Sequence, residues 1–72
     1  MSPPFSENKT HYATVIAAEG VRQVAVAAAG SSMSAIRTAE IAYARTGLKS
    51  AIANGVETSS WTMLLASLGV QT

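Results

Sequence analysis

Seventy-two residues allow one domain at most, and a domain this small buries too little of its surface to hold a large core. The chain has no cysteine, a single histidine (His11) and no aspartate, so disulfides are excluded and a clustered metal site is not expected. Association with other chains is the remaining way to stabilise so small a unit. Hydrophobic residues make up 49% and charged residues 12%, where an average soluble domain carries about 25% charge. Part of the surface is therefore expected to lie out of water. A net charge of +1 with a pI of about 8.2 argues against nucleic acid as a partner, which calls for a clustered basic face.

Residues 1–5 read as an extended tail, because Pro3 and Pro4 oppose helix. Residues 6–72 read as one helical unit. The opening Met1-Ser2-Pro3-Pro4-Phe5 shows no basic region followed by an apolar run, so no secretory signal is expected. The longest stretch between charges, residues 23–36, contains Gly30 and three serines and falls short of a membrane span. A cytoplasmic protein or an assembled particle is the expectation.

The first helix is expected over about residues 7–29. Ser6 is a candidate N-cap followed by Glu7 at the positive end of the helix dipole, with Thr10 as an alternative cap one turn later. Ala17, Val21, Val24 and Ala28 form one stripe at helical spacing, while Val15, Ala18, Ala25, Val26 and Ala29 fall opposite. Every residue from 24 to 29 is apolar. A helix apolar all round is normally buried all round. Val15, Val21, Val24, Ala25, Val26, Ala28 and Ala29 are accordingly expected at an interface. The β-branched valines leave a strand over 21–26 as the lesser alternative.

Gly30 is expected to close this helix and Ser31 or Ser32 to cap the next. The second helix runs over about 33–54. Arg37, Ile41, Leu48 and Ile52 are its interface candidates, and Asn54-Gly55 is its stop signal. Arg37 sits on the apolar stripe and calls for a carboxylate there, with Glu19 or Glu40 as candidates. A third, short helix is expected over about 59–68. Its Trp61, Leu64, Leu65 and Leu68 follow i, i+3, i+4, i+7 spacing, and all four are interface candidates. The fold expected is all-α: an antiparallel hairpin of two long alanine-rich helices plus a short C-terminal helix, packed into an oligomer. Small facing side chains let such helix axes approach at the close end of the usual range.

Site chemistry is sparse. His11 could meet Glu7 one turn earlier, but an exposed histidine near a helix start is the simpler reading. No serine stands in a nucleophile-elbow context, and there is no phosphate loop, paired carboxylate or zinc-binding helix motif. No enzyme activity, cofactor or metal is expected. Residues 38–56 have the outline of a helix-turn-helix. Tyr43 stands where that motif needs a small residue, however, and a continuous helix through Gly47 is the favoured reading, at about 1 kcal/mol for an interior glycine.

The alanine-rich helices, the Thr46-Gly47-Leu48 step and the Gly69-Val70 step distantly resemble the small structural proteins of R-bodies, bacterial ribbons built from many copies of short helical chains. The likeness covers the last half of the chain and rests on common residue types. The glutamine- and asparagine-rich stretches of that family are missing here. What the resemblance implies is an assembly class: a self-assembling subunit, filament or ribbon among the possibilities.

The expected function is thus a self-assembling structural or scaffold subunit whose partners are other copies of itself or another helical protein. A small DNA-binding regulatory or antitoxin-like module is the first alternative. A membrane-active helical peptide is the second, disfavoured by the low positive charge.

Overall fold

The computed structural model describes residues 8–71. They form three helices, α1 (Lys9–Ala29), α2 (Met33–Asn54) and α3 (Ser59–Ser67), with no strand among the described residues. The valines of 21–26 are helical, because alanines and long side chains around them favour that state. The tail at 1–5, Ser6 and Glu7 lie outside the described residues.

The turns follow from local chemistry. Thr10 lies inside α1, where its carbonyl accepts the Thr14 hydroxyl at 2.9 Å, so it is not the cap. Asn8 precedes the helix and makes no side-chain capping bond. Gly30 closes α1 at φ 61°, and Ser32 caps α2 by accepting the Ala35 N–H at 3.3 Å. The α2 helix is unbroken through Gly47, so the turn that a helix-turn-helix would need within 38–56 does not form. Gly55 ends it in the left-handed region. There Val56 N–H reaches the Ala51 carbonyl at 3.0 Å and Gly55 N–H the Ile52 carbonyl at 3.3 Å, the paired bonds of a Schellman stop. Glu57 opens α3, its Oε1 accepting the Ser60 N–H at 2.9 Å. Ser67 ends that helix one residue before Leu68, where the sequence had placed its end.

The central element is α2, which packs against α1 and against α3, while α1 and α3 share no backbone contact. The extents are 45 × 24 × 15 Å. The α3 helix folds back so that its Trp61 lies on Gly47 of α2 and also meets His11 of α1.

The core reflects this. Its buried residues are Ala39, Ala44, Gly47, Ser50 and Ala51 of α2 and Leu65 of α3. Leu65 is the one large side chain fully buried among the described residues, at 1% exposure. A buried leucine contributes about 2 kcal/mol, so the chain's own core is small. The 21-residue α1 has no buried residue at all.

Candidate interaction surface

The two sides of α1 differ in what they meet. His11, Thr14, Val15, Ala18, Arg22, Ala25, Val26 and Ala29 are half-buried, along the side that faces α2. Tyr12, Ala13, Ile16, Ala17, Gly20, Val21, Val24, Ala27 and Ala28 are exposed. Tyr12 is 49% exposed, Ile16 53%, Val21 70% and Val24 71%. Over residues 12–28 only Glu19 and Gln23 interrupt this outer side with polar groups. Among the sequence-expected interface residues, Val21, Val24 and Ala28 therefore lie open, whereas Val15, Ala25, Val26 and Ala29 are partly covered by the chain's own hairpin.

The same side of the molecule carries an open groove between α1 and α2, about 410 Å³ in volume, with Ala17, Ala18, Ala39 and Ala42 among its lining residues. A second apolar hollow continues it toward the turn, past Ala28 and Ala35. Alanines at these positions leave space that larger side chains would have filled.

The other expected interface residues fall in three places. Leu65 is buried inside the chain and is not available to a partner. Ile41, Leu48, Trp61, Leu64 and Leu68 are half-buried, and Ile52 is 65% exposed. Arg37 is exposed, and its Nε donates to the Leu68 carbonyl at 2.9 Å. It does not pair with Glu40 within the chain, because Glu40 is held by another arginine. Arg22 Nη1 meets Glu40 Oε1 at 3.2 Å across the hairpin, and its guanidinium sits 5.0 Å from the centroid of the Tyr43 ring.

From Tyr43 the contacts run on through rings. Tyr43 meets Trp61 edge-on at 5.5 Å, and Trp61 meets His11 edge-on at 6.2 Å. His11 Nδ1 lies 2.9 Å from Ser50 Oγ, which also accepts from Asn54 Nδ2 at 3.3 Å. His11 is therefore half-buried and bonded, not the exposed histidine expected from its place near a helix start. Its partner is 39 positions away, and no local pattern reveals that. Ser50 is 8% exposed near the end of α2, so its hydroxyl ties helices together and is not presented to a substrate.

The Glu57 carboxylate is held below the usual glutamate range by its neighbours. Its pKa is lowered, first by the Ser59 hydroxyl and next by the Ser60 N–H, both donating to its carboxylate. No group of three or more histidine, cysteine or acidic side chains gathers among the described residues, and no described helix is long and apolar enough to cross a membrane. Comparison with known protein families, characterised proteins and solved structures finds no match for this chain.

Proposed function

We propose that this chain is a structural subunit that self-associates through the outer side of α1, carrying no catalysis and no cofactor. One observation carries the reading: α1 is 21 residues long without one buried residue, while Ile16, Val21 and Val24 stand 53–71% exposed on it. Burying a valine or isoleucine is worth about 1.5–3 kcal/mol. A chain whose own core holds one fully buried large side chain has strong reason to cover that face.

The outer side of α2 is different in kind. Arg37, Arg45 and Lys49 are all exposed on α2 alongside Met33 and Ile52, so its open surface mixes basic and apolar groups. The regulatory alternative loses the turn on which it rested, since α2 is continuous.

Sedimentation equilibrium over a hundredfold range of concentration tests the proposal. A mass rising above the 7.4 kDa of one chain is expected. A constant 7.4 kDa would refute it, and in that case salt-sensitive DNA binding or vesicle leakage would point to one of the rivals.

A further inference from the structure

Resting on that self-association, we infer that the partner is a second copy docked antiparallel, with α1 against α1 across a two-fold axis near Glu19 and Gly20. Three observations carry this beyond the bare fact of an apolar face.

The first is spacing. Thr10, Thr14, Ala17, Val21, Val24 and Ala28 recur at alternating steps of four and three residues. This is the 3.5-residue period of a helix seam that stays on one side along its length. Thr14, Ala17 and Val21 line the α1–α2 groove, and all six but Thr14 are exposed. The seam is also symmetric. Set antiparallel, residue 10 meets 28, 14 meets 24, and 17 meets 21, so every layer pairs a seam residue with a seam residue. Its small side chains suit axes about 8 Å apart.

The second is charge. Lys9 is the first residue of α1, beside the positive end of its own helix dipole. The first turn has no acidic residue and the last turn no basic one. Lys9 is thus at the wrong end for its own helix. In the antiparallel pair it lies against the last turn of the other copy's α1, at the negative end. A parallel pair would instead bring two Lys9 side chains together.

The third is the groove. An open groove of about 410 Å³ between α1 and α2 runs beside the seam, with Ala17 and Val21 among its lining. The Val21–Val24 ridge of a second copy supplies what that groove lacks, giving a two-layer arrangement of two hairpins. A specific interface needs about 500 Å² from each copy. That is about a tenth of the 4909 Å² surface of this chain, within what one side of a helix about 30 Å long provides.

The chain has no cysteine, so introduced thiols report the register directly. Thr10→Cys and Ala28→Cys chains are prepared separately and oxidised mildly, alone and as an equimolar mixture, at a concentration where sedimentation shows association. Disulfides form only where Cα atoms come within about 7 Å. The antiparallel seam predicts linked dimers in the mixture and none from either chain alone. Linkage of each variant to itself would mean a parallel pair. Absence of all linkage in a sample that still associates would mean a different face. Either result overturns this inference while leaving self-association standing. A wild-type chain monomeric at every concentration removes both. Lys9→Glu is the second reading: it should weaken association about 3- to 30-fold without lowering helix content. An unchanged dissociation constant would refute the antiparallel placement.

Discussion

Gly47 lies directly beneath the six-membered ring of Trp61, so close that a Cβ at Gly47 would overlap the ring carbons. Alanine in place of an interior helical glycine normally stabilises by about 1 kcal/mol. Here the added methyl has to push Trp61 aside, and Tyr43 and His11 meet that ring edge-on. We expect Gly47→Ala to destabilise the chain by about 1–3 kcal/mol, the usual cost of overpacking. In a Trp61→Ala background the sign should reverse and the same substitution should stabilise. Urea unfolding of the four chains in this cycle measures both.

Arg22 does two things at once, pairing with Glu40 and covering Tyr43. The pair is 29% and 33% exposed, so solvent screens it and it contributes about 0.5–1 kcal/mol. The cation over the ring adds about 0.5–1 kcal/mol more. Arg22→Ala should therefore cost more than Glu40→Ala, about 1–2 kcal/mol against less than about 1. Molar salt should shrink the Glu40 effect and leave most of the Tyr43 part. Thermal melts at low and high salt check the difference.

The helices were legible in the sequence because their punctuation is chemical. Gly30, Ser32 and Asn54-Gly55 mark ends where a positive φ or a capping oxygen is required, and each falls where expected. The continuity of α2 through Gly47 was legible too, from Tyr43 standing where a turn motif needs a small residue. What the pattern left open was which side of α1 faces its own hairpin. A helix apolar all round has no strong direction, and Val15 and Val26 are as apolar as Val21 and Val24. The choice is made by polar residues across the gap. Arg22 finds Glu40 and His11 finds Ser50, and those two contacts turn the Val15–Val26 side inward. Glu40, one of the two acids expected for Arg37, is held within the chain by Arg22, and Arg37 donates to the Leu68 carbonyl.

Glu57 supplies a pH effect at the start of α3. Its pKa is lowered by bonds donated from Ser59 and Ser60, which favour the charged form. A carboxylate depressed on folding stabilises the fold above its unfolded pKa, and that contribution is lost as pH falls through the folded value. The start of α3 should therefore loosen in acid, below the ordinary range of glutamate titration. A carbon-detected NMR titration should place Glu57 below the ordinary glutamate value. Glu57→Gln should flatten the acid side of the α3 amide-exchange profile. Titration of Glu57 at the ordinary glutamate value would contradict the capping role.

Val24 and Val26 are two residues apart on α1, yet they test different things. Val24 is 71% exposed and lies on the proposed seam, whereas Val26 is half-buried along the hairpin. A glutamate at 24 stays in water in the isolated chain, so the helices should persist. In the associated form it would be a charge in an apolar contact without a partner, which is very costly. Val24→Glu should therefore give a chain that sediments as a monomer and keeps its helical circular dichroism. A glutamate at 26 is forced against the chain's own small core, and we expect about 2–4 kcal/mol of lost stability from the buried polar group. With so little core to spare, Val26→Glu should lose helix and association together. Ordinary association by the Val24 variant would show that the outer side of α1 stays in water, and with it both the seam and the proposed role would fall.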